Sequence, residues 1–103
     1  MSTNLTVYLI TGYKTTRDEM RRNHASSFEH ILDDEPYGIT AIINEGCDDV
    51  IIGRVNSKIG EYDDKPAELV ELHSTVGVFD DLKRLGIGIE PAEIKHYFYG
   101  TWG

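Results

Sequence analysis

The stretch that decides the fold is Tyr37-Gly38-Ile39-Thr40-Ala41-Ile42-Ile43-Asn44-Glu45-Gly46-Cys47-Asp48-Asp49-Val50-Ile51-Ile52-Gly53-Arg54-Val55. Two runs rich in β-branched residues flank an acidic, glycine-containing break, the pattern of a β-hairpin with a loop of about five residues. The acids in the loop invite a metal reading. Glu45, Asp48 and Asp49 nevertheless lack the alternating Asp-x-Asp-x-Asp-Gly spacing of a calcium loop, and a turn rich in Asp and Gly needs no ion to explain it. Cys47, the single cysteine, has acids as sequence neighbours. They disfavour the thiolate by like-charge repulsion, so nucleophilic chemistry is not expected there.

Working back from the hairpin, Asp33-Asp34-Glu35-Pro36 ends a helix, because proline disfavours helical geometry in the residue before it. The helix opens at Thr16-Arg17-Asp18-Glu19, which has the form of a capping box. Met20, His24, Phe28, Ile31 and Leu32 then recur at helical spacing as one apolar stripe. Before it, residues 5–12 read as a strand, with Leu5, Val7 and Leu9 alternating against Thr6, Tyr8 and Ile10. Gly12-Tyr13-Lys14-Thr15 is expected to break that strand.

Working forward, residues 56–65 are polar and glycine-bearing, which predicts a mobile surface loop. Residues 66–72 fit either a helix opened by Pro66 or a short strand. Ser74 or Thr75 caps a second helix with the stripe Val76, Phe79, Leu82 and Leu85, closed by Gly86. Residues 87–91 are a linker, and residues 94–99 form a last strand of high β-propensity. The order is strand, helix, strand, strand, helix, strand. It predicts a single α+β domain over residues 1–103 with a ferredoxin-like βαββαβ antiparallel sheet and both helices on one face. A mixed α+β sandwich with an extra short strand near residue 69 is the alternative.

Charge narrows the choice of partner. Ten basic and eighteen acidic residues give a net charge of −8 with pI ≈ 4.8. The basic residues Lys14, Arg17, Arg21 and Arg22 balance the early acids, so the excess of acid follows them. Such a field repels phosphate backbones, and direct nucleic-acid binding is not expected. No apolar run approaches a membrane span, and no basic region leads into an apolar segment near the start, so a cytoplasmic protein without a membrane partner is expected.

No catalytic or cofactor motif is visible. His24 and His30 are six apart and cannot share a metal on one helix. No zinc pattern joins His73 or His96 to cysteine pairs. Gly86-x-Gly88 follows a helix, whereas a nucleotide-binding glycine loop follows a strand. No cofactor and no metal are expected. The densest aromatic stretch is His96-Tyr97-Phe98-Tyr99-Gly100-Thr101-Trp102, in which Tyr97, Tyr99 and Trp102 fall on alternate or terminal positions suited to a contact patch.

These residues favour binding over catalysis. The expected function is a small acidic protein-binding module that regulates or inhibits a basic, nucleic-acid-binding protein, of the kind a virus or mobile element encodes. Glu45, Asp48, Asp49, Asp63, Asp64, Tyr97, Tyr99 and Trp102 are its candidate contacts, and a homodimer is the expected assembly. A different class of reading is a small enzyme or ligand sensor with a pocket near residues 56–65 that uses His73, His96, Asp63 or Asp64. A structural subunit of a homo-oligomer is the third.

Overall fold

The computed structural model describes residues 5–43, 47–60 and 71–102. The elements run β1 (Leu5–Thr16), α1 (Arg17–Asp34), β2 (Thr40–Ile43), β3 (Asp49–Gly60), α2 (Thr75–Arg84) and β4 (Ile94–Trp102), with short 3₁₀ turns at Pro36–Gly38 and Pro91–Glu93. The four strands make one antiparallel sheet in the order β2-β3-β1-β4. The result is a small α+β domain with two helices. No helix among the described residues is long and apolar enough to cross a membrane.

Two strands are longer than the sequence suggests. Residues 12–15 do not break β1, which continues to Thr16 because Gly12 pairs with Gly53 where the two backbones pass very closely. A Cβ on Gly12 would lie 2.2 Å from the Ile52 carbonyl oxygen, and one on Gly53 would lie 2.0 Å from that of Thr11. Only glycine fits such an approach. Residues 56–60, expected in a loop, instead extend β3 along residues 6–9 of β1. The register shifts between Leu9 and Ile10, leaving Asn56 as the extra residue of a bulge. Residues 61–65 of the same expected loop lie outside the described residues. So do residues 66–70, while residues 71 and 72 are neither helix nor strand.

The helix starts follow the sequence. The Thr16 hydroxyl accepts from the Glu19 N–H at 3.1 Å and the Ser74 hydroxyl from that of Gly77 at 3.4 Å. Glu19 turns its carboxylate to the Thr15 hydroxyl (3.0 Å), which differs from a capping box. Met20, Phe28 and Ile31 are buried as the stripe requires, but Leu32 is exposed and His24 sits at a kink with φ −143° and ψ 40°. In α2 the buried face is Val78, Asp81 and Leu82, and Val76 is 65% exposed. Of the expected stripe, Leu82 is buried and Phe79 and Leu85 pack against the core, whereas Val76 is left outside and the buried face extends to Val78 and to Asp81, which pairs with Arg54.

The sheet divides the apolar residues into two clusters. On one face Met20, Phe28 and Ile31 of α1 and Val78 and Leu82 of α2 close over Val50, Ile52 and Ile94, with Ile39 and Ile87 completing the group. On the other face Ile10, Ile42 and Ile51 cluster with Tyr8, Val55, Tyr97 and Tyr99, and among the described residues no helical one takes part. Each fully buried branched aliphatic or aromatic side chain contributes about 1.5–3 kcal/mol, so the helix-covered cluster carries most of the stability.

Candidate functional site

Strand alternation fixes what the open face displays. Tyr8 pairs with Tyr99 and Lys58, Ile10 with Tyr97 and Val55, and Gly12 with Lys95 and Gly53. Thr6, Tyr8, Ile10 and Lys14 of β1 thus share this face with Ile51, Val55 and Lys58 of β3, Lys95, Tyr97, Tyr99 and Thr101 of β4, and Thr40 and Ile42 of β2. Ile10 and Ile51 have 0% exposure although neither α1 nor α2 contributes to their cluster. The half-buried tyrosines pack against them instead. The Lys58 ammonium sits 5.7 Å from the centre of the Tyr8 ring, in cation–π range. Beside this pair a cleft of about 410 Å³ opens between Tyr8, Lys58, Val55, Ile42, Thr40 and Glu35.

The polarity of this face differs from that of the whole chain. Lys14, Lys58 and Lys95 are exposed, and none forms an ion pair among the described residues. Among the described residues, carboxylates near this face are Asp49, at the start of β3, and Glu35 at the cleft rim, which accepts from the Thr40 hydroxyl at 3.2 Å. Burial, with a smaller contribution from neighbouring Tyr13, raises the Tyr97 phenol above its ordinary pKa of 10.0. It therefore stays protonated at neutral pH.

The sequence-derived site residues do not converge. Asp48 lies 3.6 Å from the Arg17 guanidinium, whose other nitrogen donates to the Cys47 carbonyl at 3.0 Å, so this acid ties the hairpin to the start of α1. Asp49 opens β3 close to Asp48, with the Cys47 thiol 3.8 Å away. Tyr97 and Tyr99 are on the open face, a strand-width from Ile10 and Tyr8. Glu45, Asp63 and Asp64 lie outside the described residues, as does the side chain of Trp102, whose backbone closes β4.

Two further constellations were not legible in the sequence. Asn56, the bulge residue, donates to the buried Thr11 hydroxyl at 2.8 Å and accepts the His73 N–H at 2.7 Å, and the Thr11 hydroxyl meets His96 Nδ1 at 2.7 Å. His73 and His96 are thereby linked, although His73 takes part through its backbone. The second constellation holds α2 to the sheet. Asp81, buried, pairs with Arg54, whose Nε donates to the Tyr37 carbonyl at 3.1 Å, and Arg84 adds a weaker 3.6 Å contact.

The turn after α1 is unusual. Glu35 and Tyr37 both have positive φ (46° and 58°), a conformation side chains other than glycine seldom adopt. It presents the Tyr37 ring 5.9 Å from the Arg84 guanidinium, over a cleft of about 350 Å³ lined also by Ser26, Ser27, His30 and Leu85. Phe98 was also missed. It is 79% exposed in the middle of β4, an edge strand of the sheet, where it pairs with Leu9. Among the described residues, no three histidine, cysteine or acidic side chains are grouped to hold a metal ion. Comparison with protein-family models, with curated proteins and with solved structures finds no match.

Proposed function

We propose that this protein is a binding module that engages an extended, anionic partner on the open face of its sheet. The observation that carries the reading is the segregation of exposed Lys14, Lys58 and Lys95 around half-buried Tyr8, Tyr97 and Tyr99 on the face opposite α1 and α2. Tyrosines supply apolar contact area with a polar edge, and lysines supply charge that stays hydrated until a partner arrives. The architecture belongs, in this reading, to the ferredoxin-like split β-α-β class. The element order and the strand order β2-β3-β1-β4 support that assignment, as does the sharing of one apolar cluster by both helices.

The experiment is a titration of the ¹⁵N-labelled full chain with polyglutamate, followed amide by amide. Perturbations gathered on Tyr8, Lys58 and Lys95 to Tyr99 are expected. Perturbations confined to α1 and α2, or none, would overturn the reading.

A second reading keeps the acidic exterior as the working surface, with a basic protein regulated or inhibited by it. The net charge of −8 favours it. Charge reversal of Glu29 and Asp33, both exposed on α1, separates the two readings. It abolishes capture of a basic partner and leaves polyglutamate binding intact.

A further inference from the structure

The chemistry of the open face narrows its partner further, and the narrowing rests on the binding reading given above. We infer that the occupant is single-stranded nucleic acid, its bases stacked on Tyr8, Tyr97 and Tyr99 and its phosphates held by Lys14, Lys58 and Lys95. Tyr97 and Tyr99 stand two apart on β4, and Tyr8 pairs with Tyr99 across the strands, so the three side chains are neighbours on one face and pack on the same cluster as a platform for bases. Behind them Ile10 and Ile51 have 0% exposure and give that platform a rigid floor.

From Tyr8 to Lys14 the face runs roughly 20 Å along β1, at about 3.3 Å per residue. That length suits several unstacked nucleotides. Base–aromatic stacking tolerates any sequence, because every base has a π-face. A duplex keeps those faces inside its own stack, and a broad sheet does not enter its grooves, so the surface selects single strands. An acidic polypeptide would use the same lysines but leave the tyrosine faces without flat partners. The whole-chain charge, which argued against nucleic acid at the level of composition, acts at long range and is screened over about 8–10 Å at ordinary ionic strength. At contact distance the described face presents three exposed lysines, with Asp49 at one end and Glu35 at the cleft rim.

Fluorescence anisotropy with the full chain tests this, using labelled oligothymidylate and oligouridylate of about ten nucleotides and a duplex of equal length. Single strands are expected to bind and the duplex to bind at least tenfold more weakly. The two single strands separate a DNA from an RNA source. Three lysine–phosphate contacts give an expected slope of log affinity against log salt near −2, at roughly −0.7 per contact, and Lys58→Gln or Lys95→Gln each removes about 0.7 of it. Tyr97→Ala weakens binding about 5- to 150-fold, the range of one stacked base. Tyr97→Phe keeps the ring and stays within about twofold, which guards against a folding defect in the alanine variant.

A flat titration up to about 1 mM protein overturns the inference. So does duplex binding as tight as that of the single strand, or binding that the lysine and tyrosine variants leave unchanged. If polyglutamate perturbs this face while the oligonucleotides do not bind, the single-strand assignment falls and the binding face remains. If neither binds, both fall. A second copy of the chain occupying the face would show as a dimer in native mass spectrometry together with a flat titration, and counts against the inference.

Discussion

On the helix-covered face, Val50, Ile52 and Ile94 are sealed by Met20, Phe28, Ile31, Val78 and Leu82, side chains brought from other elements. On the open face, Ile10 and Ile51 are equally inaccessible, yet the side chains around them come from neighbouring positions on the strands themselves. The difference teaches that burial and tertiary cover are separate properties. Among the described residues, three half-buried tyrosines and a valine pack around these isoleucines with no contribution from α1 or α2, and the tyrosines still keep part of their surface in solvent.

The comparison can be attacked most directly at its strongest point. Phe28→Ala removes the largest side chain of the covered cluster and should lower stability by about 3–5 kcal/mol in urea titration. Asp81→Ala comes next. It leaves Arg54 unpaired under α2, and the loss should be about 3 kcal/mol. That is the low end for a broken buried pair, since the Arg54 side chain keeps 27% exposure. A loss below 1 kcal/mol would mean that the covered side is held by apolar packing alone.

Ile10→Ala asks whether the open face is core. A cost of about 2 kcal/mol is expected, the low end for such a truncation, because flanking tyrosines can settle into the space. Near zero would make the cluster a surface feature with no structural role.

The mildest effect is a pH dependence. Folding raises the Tyr97 pKa, so the native state holds that proton more tightly than the unfolded chain. The stability this confers is complete below the phenol's ordinary 10.0 and falls as pH rises past it. Denaturation midpoints measured from about pH 9 to about pH 11 should decline, and Tyr97→Phe should flatten part of that decline.

Much of the fold was legible because it rests on local rules. The hairpin came from two β-branched runs, the helix starts from Thr16 and Ser74, and the end of α2 from Gly86, which takes φ 83°. What was hidden depends on partners distant in sequence. Residues 56–60 read as a loop because they are polar, but Asn56 finds its partners in Thr11 and His73. Asp81 lay outside the expected apolar stripe of α2, and its burial was hidden because Arg54, which makes an aspartate acceptable there, is distant in the chain. The exposure of Phe98 was hidden for another reason: β4 is an edge strand of the sheet, a position its own residues do not announce. The candidate face was half visible. Its tyrosines stood out in the sequence, whereas its lysines come from three strands and were lost in the net charge.

The pairing of Leu5 with Trp102 sets the order in which the molecule can form. Zipping β2 to β3 from Ile43 and Val50 closes a short loop, while docking β4 on β1 at that pair closes almost the entire chain. The entropy difference is ~2 kcal/mol, which makes the β2–β3 hairpin the early event and β4 the late one. Until β4 arrives, β1 offers a bare edge with Leu5, Val7 and Leu9 on one side and Tyr8 and Ile10 on the other. A nascent chain therefore completes its tyrosine platform last, and slow synthesis or truncation near residue 94 would release a sticky, three-stranded intermediate.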